Sequence, residues 1–341
     1  MWVVRPARPE DQKAILGIVG ARSARLSSTL PGEPGPLARR IDHSLASFAG
    51  KSTGDVPPRF LFVLEDVRTG EVLGTAGIDA QAGNGEPFYN YRRDALIHAS
   101  HELGVSSRVD VLYPSHGLTD HTLLCGFALV PELVDTDAFE LLSRARLLFI
   151  ASHRQRFDDH LIVEIQGVQT GEGDAATVPF WDSLGRHFFN MDFREADQHS
   201  GALSKTFIAE LMPPNPIYVT LLSEDAQAAL GEAHALSLPN RDLLHREGFR
   251  AGSYVDIFDG GPVLEARTDS VHSIVTSRVA GLHGSPDERG DTCLVAAGEG
   301  GEFRCTLGPV SDSVDNQARV SVDLWHRLGC GPGDTVRLVV L

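Results

Sequence analysis

Apolar residues in this chain alternate with polar ones in some stretches and recur every three to four residues in others, and the switches between the two periods mark out its elements. In VVRPARPEDQKAILGIV, Val3 and Val4 begin a strand, and Asp11 caps a helix carrying Ile15, Leu16, Ile18 and Val19. Residues 27–36, SSTLPGEPGP, hold three prolines and two glycines and are expected to form a loop. FLFVLEDVRTGEVLGTAGIDA reads as two strands joined at Arg68-Thr69-Gly70-Glu71, a hairpin. The Gly- and aromatic-rich GNGEPFYNYRRD, residues 83–94, is expected on the surface as a loop. HTLLCGFALVP predicts a central strand, DAFELLSRARLLFIASHRQRF the helix after it, and HLIVEIQG a further buried strand.

From residue 178 the pattern changes. VPFWDSLGRHFFNMDF is helical with an aromatic face, so Trp181, Phe188 and Phe189 are read as core. TFIAELMPPNPIYVTLL contains a strand broken by Pro213, Pro214 and Pro216. PNRDLLHREGF predicts a helix stopped at Gly248, and SYVDIFDGGPVLEA a strand running into a Gly-Gly-Pro turn. Beyond about residue 265 the chain consists of short β-segments between Gly/Pro turns and closes in GCGPGDTVRLVVL, which predicts a small β-barrel appendage. The expected organisation is an α/β region over 1–262 and a β-rich domain over 263–341. Two similar endings, DSLGRHFF and LLHREGF, suggest that the first region is duplicated, with halves at about 1–195 and 196–262.

Composition narrows the function. At 341 residues and 42% hydrophobic content the chain can bury a sizeable core. A formal net charge of −16 with no basic run argues against nucleic acid, whose phosphates need clustered cations, and against anionic membrane surfaces. No stretch approaches the roughly 18 apolar residues of a membrane span, and MWVVRPARPEDQ lacks the apolar run of a secretory signal. Cys125, Cys293, Cys305 and Cys330 are scattered without ligand spacing. Structural thiols in a reduced cytoplasmic protein, with no metal, are therefore expected.

The order Arg-x-Ala-x-x-x-Asp-helix, hairpin, apolar strand, proline, helix, strand resembles the GNAT N-acyltransferase fold. Longer stretches are more specific. PFYNYR (87–92), IHAS (97–100), PFWDSLGRHFF (179–189), FIAELMP (207–213), PIYV (216–219), DIFDGGP (256–262) and the ending GDTVRLVVL are similar to the arginine N-succinyltransferase family over essentially the whole chain. LLSRARLLFIASHRQRF and VEIQG resemble most the alpha-subunit branch of the two-subunit arginine/ornithine enzymes. The resemblance implies a GNAT-like mixed α/β sheet and transfer of succinyl from succinyl-CoA to the α-amino group of L-arginine or L-ornithine, in arginine catabolism. It also implies a homologous beta subunit as partner.

Acyl transfer to an amine needs removal of an ammonium proton, stabilisation of the tetrahedral oxyanion and protonation of the departing thiolate. The resemblance places His234, in GEAHALSLP, as proton donor, and Phe127 and Leu129 of the central strand at the acyl-CoA contact. Ala235 stands where the family usually has proline. Glu164 of VEIQG reads either as a general base acting through water or as a structural carboxylate. Arg92 would take the succinyl end, Asp256 and Asp259 the cationic substrate, and Tyr89 and Tyr91 would line the pocket. The two aspartates also suit a turn, and the tyrosines a subunit contact.

One segment departs from the family pattern. Acyltransferases of this fold usually carry Arg-x-x-Gly-x-Gly before the helix, where backbone N–H groups reach a pyrophosphate. Here Val134, Asp137 and Phe139 occupy those positions, and Asp137 with Glu140 resembles a capping box. Two like charges about 4 Å apart repel by roughly 1 kcal/mol in water and about 4 kcal/mol at an effective dielectric of 20. Asp135, Asp137 and Glu140 are therefore expected to repel CoA phosphates. An alternative reading follows, in which the chain is a catalytically reduced scaffold for a partner with an intact glycine loop.

Overall fold

The computed structural model describes residues 1–23, 29–51, 56–100, 102, 104–171, 177–193, 211–212, 214–284, 290–313, 317–331 and 333–341. Most of FIAELMP, and most of the first half of the proline-broken strand, lie outside them.

The first strand, β1 (Trp2–Pro6), leads into α1 (Gln12–Ser23), and a second helix, α2 (Pro34–Phe48), follows. The sequence reading had no helix at α2 and put residues 34–36 in a loop. Pro34 is tolerated because it sits at the first helical position, where its missing N–H has no intrahelical partner to lose. Next come β2 (Arg59–Asp66) and β3 (Glu71–Asp79), joined at the expected turn, where Gly70 takes φ +72° and donates its N–H to Asp66 O at 2.8 Å.

The expected surface loop over 83–94 is a loop only in its first part. Its end opens β4 (Asn90–Ser100), which forms a long hairpin with β5 (Val105–Ser115). The central strand β6 (Thr122–Leu129), the helix α3 (Asp137–Ser152) and β7 (His160–Glu164) follow as predicted. The aromatic segment after 178 folds into two short helices, Pro179–Ser183 and Gly185–Phe189; of its aromatics Trp181 and Phe189 are buried, whereas Phe188 is exposed. A two-residue strand, β8 (Ile217–Tyr218), precedes a helix over Leu238–Arg246, and Gly248 beyond it has φ +103°. Then come β9 (Arg250–Asp256) and β10 (Pro262–Arg267).

The last five strands are β11 (Arg278–Gly284), β12 (Asp291–Ala297), β13 (Arg304–Ser313), β14 (Gln317–Val320) and β15 (Thr335–Val340). They pair in the order β12-β15-β11-β14-β13, and β12 also pairs with β13, which closes a five-stranded barrel. The barrel thus begins later than the residue-263 boundary expected, because β10 lies in the main sheet between β7 and β9.

The rest of the sheet runs β13-β1-β2-β3-β6-β7-β10-β9-β4-β5-β8. Strands from before and after residue 195 interleave in it. Alternation along β2 sends Phe60, Phe62 and Leu64 into a core shared with α3, and Leu61 and Val63 into a core shared with α1 and α2. The helices therefore cover both faces. No described helix is long and apolar enough to cross a membrane.

Candidate active site

The cleft of this molecule exists because two neighbouring strands part. β6 and β7 are parallel and paired only at Thr122–Leu161 and Leu123–Ile162; beyond that β6 stays with β3, while β7 stays with β10. Between Thr75 and Gly77 the β3–β6 register shifts, and Gly126 bulges out at φ +59°. A residue with a side chain is disfavoured there by the left-handed backbone, and its Cβ would meet Leu30 at 3.2 Å. The bulge's polar groups are held by side chains: Gly126 N–H donates to Thr29 Oγ1 at 2.7 Å, and Thr75 Oγ1 donates to Gly126 O at 2.7 Å. The gap opens into a cleft of about 630 Å³.

The two walls of the cleft differ in charge. On the β3–β6 side, Arg40 and Arg59 both donate to the buried Asp79, Arg40 Nη2 to Oδ1 at 2.5 Å and Arg59 Nη2 to Oδ2 at 2.7 Å. Arg146, from α3, also reaches this wall. Burial pushes the neighbouring Cys125 thiol far above its ordinary range, so it is no nucleophile at neutral pH. The β7–β10 wall is acidic and carries Glu164, Asp256 and Asp259. Glu164 accepts a hydrogen bond from the buried Asn90 Nδ2 at 2.8 Å, which orients its carboxylate.

Asp256 and Asp259 build the turn between β9 and β10 as well. Asp256 Oδ1 accepts from the Phe258 and Asp259 N–H groups at 2.7 and 3.1 Å, and the Asp259 carboxylate accepts from Gly261 and Gly167 at 2.8 Å each. Gly167 and Gly261 admit no Cβ, which would fall within 3 Å of this turn.

His234 is tied to the acidic wall through its backbone, but it is not among the residues that line the cleft. Its N–H donates to Gln166 O at 2.8 Å, and Ala233 bridges Gly167, while Ser237, three residues on, lines the cleft. The imidazole is half-buried and its Nδ1 accepts the Leu236 N–H at 3.1 Å, which leaves the proton of the neutral ring on Nε2. Desolvation holds its pKa below the ordinary imidazole value.

Not every candidate residue comes to the cleft. Phe127 lines it, with its ring edge-on to Phe139 at 5.2 Å. Leu129 ends β6 and packs against the α3 core instead. Tyr91 is fully buried beside Phe180, and burial pushes its phenol far up. Half-buried Tyr89 packs near His116. Arg92 is exposed on the β4–β5 hairpin and pairs with Asp94 at 3.6 Å. Tyr91 packs into the aromatic core around Phe180 and Trp181, whereas Arg92 begins the exposed run 92–94, where the β4–β5 hairpin leaves its pairing with β9.

The loop before α3 also differs from its expected form. Thr136, not Asp137, is the N-cap, and its Oγ1 accepts the Ala138 N–H at 3.3 Å. Glu140 does not fold back on the cap; it pairs with Arg246 and, at 3.7 Å, with Arg144. The N–H groups of Leu133, Val134, Thr136 and Phe139 are bonded within the segment itself, leaving few to meet a phosphate.

Comparison with known proteins decides the family. A family model described as arginine N-succinyltransferase beta subunit matches residues 2–273, and one for the C-terminal domain of that subunit matches 276–339. The chain belongs to the arginine N-succinyltransferase family. It is 40% identical over 342 residues to arginine N-succinyltransferase subunit alpha of Pseudomonas aeruginosa, covering all of both chains. It is also 40% identical over 344 residues to arginine N-succinyltransferase of Salmonella paratyphi B, covering 100% of this chain and 98% of that one. Among solved structures, subunit AI of the arginine/ornithine succinyltransferase of Pseudomonas aeruginosa superposes with a TM-score of 0.89 at 37% identity, over 100% of this chain and 98% of that one.

Within this family member, sequence reasoning missed Arg40, Asp79, Asn90 and Arg146. The one available signal was Arg144 and Arg146 inside an otherwise apolar helix, LLSRARLLF. A cluster of His121, Asp158 and His160 also escaped it. Their ligand atoms lie within 4.8 Å of one another, at the paired end of β6 and β7, away from the splay.

Proposed function

We propose that the chain transfers the succinyl group of succinyl-CoA to the α-amino group of L-arginine, with L-ornithine as the related amine, on a GNAT-type splayed sheet. The observation that carries this reading is the cleft between β6 and β7, with arginines on one wall and carboxylates on the other. An acyl group ending in a carboxylate suits the first wall, and an amine carrying a guanidinium suits the second.

In this reading Glu164, oriented by Asn90, takes the ammonium proton through water, and the free amine attacks the thioester. Phe127 packs against the acyl chain, and Asp256 and Asp259 lend negative potential to the guanidinium end. His234 presents Nε2–H to the departing sulfur. Because the only basic nitrogen of the neutral ring, Nδ1, accepts the Leu236 N–H, the ring acts as a hydrogen-bond donor to the thiolate, and the proton that the amine releases reaches the sulfur through water. The names of relatives as subunits support a heteromer, with a homologous second subunit as partner. Four free cysteines fit a reducing, cytoplasmic setting.

The test is succinyl-CoA with L-arginine and purified chain, with and without the second subunit, followed by thiol release and by mass spectrometry of the product. N-succinylarginine is expected. Its absence under both conditions would falsify the reading.

A further inference from the structure

We propose that Arg146 selects the acyl group, its guanidinium receiving the distal carboxylate of the succinyl chain through the opening that the Gly126 bulge makes in β6. The proposal rests on the succinyl-transfer reading above and assigns one residue to its acyl specificity.

Two arginines of α3 provide the contrast. Arg144 and Arg146 are both buried, at 8% and 1% exposure. Arg144 has the company a buried cation needs: Nε donates to Glu247 Oε1 at 2.6 Å and to Ser273 Oγ at 3.1 Å, with Glu140 nearby. Among the described residues Arg146 has no carboxylate within ion-pair distance. Its bonds are to neutral acceptors and all are long: Ser143 O at 3.2 Å, Ser143 Oγ at 3.3 Å, and Gly77 O and Cys125 O at 3.5 Å each. An N–H···O bond of ordinary strength is near 2.9–3.0 Å. A buried, uncompensated cation is costly, and such a group persists where a ligand supplies the missing anion.

Its position fits that role. Gly77 and Cys125 flank the register shift between β3 and β6, so the guanidinium sits in the gap where the cleft begins. It lies 5.4 Å from the centroid of the Phe127 ring, on the path an acyl chain would follow. Arg40 borders the same place, with Nη2 3.7 Å from Cys125 Sγ, and among the described residues its buried Nε and Nη1 have no hydrogen-bond partner. The pocket end is therefore positive even with Asp79 ionised. Desolvation lowers Arg146 to about 10, which still leaves it cationic at neutral pH.

The experiment compares succinyl-CoA with butyryl-CoA, a neutral acyl chain of equal length, in wild type, Arg146→Lys and Arg146→Met. Wild type must first transfer succinyl; if it does not, the functional reading fails and not this assignment. The expected result is a loss in kcat/KM of on the order of 10²- to 10³-fold for succinyl-CoA in Arg146→Met, with butyryl transfer unchanged or raised and Arg146→Lys intermediate. A parallel loss with both thioesters means that Arg146 only supports the bulge, and overturns the proposal. Should neither variant fold, a crystal structure of wild type with a non-hydrolysable succinyl-CoA analogue decides. A terminal carboxylate bonded to the Arg146 guanidinium upholds the assignment, and one bonded elsewhere rejects it.

Discussion

His234 illustrates how much a single residue's surroundings set its chemistry. Its Nδ1 is committed to the Leu236 N–H, and burial disfavours the charged ring. Replacing it with alanine should lower kcat by roughly 10²-fold with the circular dichroism spectrum unchanged. If stability falls in parallel with activity, the histidine is structural. Its folded-state pKa lies below the ordinary imidazole value of about 6.5, so the folded state binds fewer protons than the unfolded one. The stability it contributes is complete above that value and fades as the pH falls through the lower folded pKa. The gap in melting temperature between wild type and His234→Ala should therefore narrow on acidification below about pH 6.5; a widening gap would contradict the assignment. Asn90 matters in a different way, because without its amide Glu164 loses the bond that aims it.

At the scale of elements, the proposed function turns on the splay of β6 and the start of α3. Gly126→Ala should destabilise by about 1–2 kcal/mol, since its φ of +59° is in the left-handed region, and should impair turnover more than stability because the bulge shapes the cleft. Urea titration alongside kinetics checks both. The segment before α3 is instead bonded largely to itself. Of the three carboxylates expected to repel CoA, Glu140 is neutralised by Arg246 and Arg144, while Asp135 and Asp137 remain exposed. The larger obstacle is that the N–H groups of Leu133, Val134, Thr136, Ala138 and Phe139 are already bonded within the segment. Calorimetric titration with CoA is expected to give weak binding to the isolated chain and tighter binding with the proposed second subunit present. Micromolar affinity of the chain alone would show that the phosphates find another seat. Thr136→Ala, which removes the N-cap acceptor, should cost about 1 kcal/mol without changing that outcome.

Across the whole molecule, the barrel keeps a core of its own around Leu282, Val295 and Leu338 but packs its other face into the core of the main sheet. β13 pairs with β1, and Phe303, buried just before β13, meets Phe62 and Phe149 edge-on at 5.6 and 5.1 Å. Leu294, Ala296 and Cys305 belong to the same cluster as the apolar face of α3. Phe303→Ala should accordingly cost about 3–5 kcal/mol and shift one cooperative unfolding transition. Two separate transitions, with only the later residues affected, would show that the barrel is energetically independent of the sheet.

Much of this protein was legible in the amino-acid order alone. The hairpin at Gly70, the strand–helix–strand run from 122 to 164 and the β-rich ending are set by local periodicity and turn chemistry, which need no distant contact to be read. The family could be read for the same reason, since its motifs are contiguous. Asp256, Asp259, Glu164 and Phe127 were recognised as candidates, and the fold brings all four to one cleft. What only the tertiary structure decided is which side chains face that cleft. Tyr91 and Arg92 are adjacent in a motif, yet one packs into the core beside Phe180 and the other lies where the β4–β5 hairpin leaves that core. Arg146 carried no local mark to separate it from Arg144, because the two sit in one helix two residues apart. Their difference is that one meets Glu247, more than a hundred positions along the chain, and the other meets a gap in the sheet. Whether a buried charge has a partner depends on how distant segments are brought together, and local sequence patterns do not encode that.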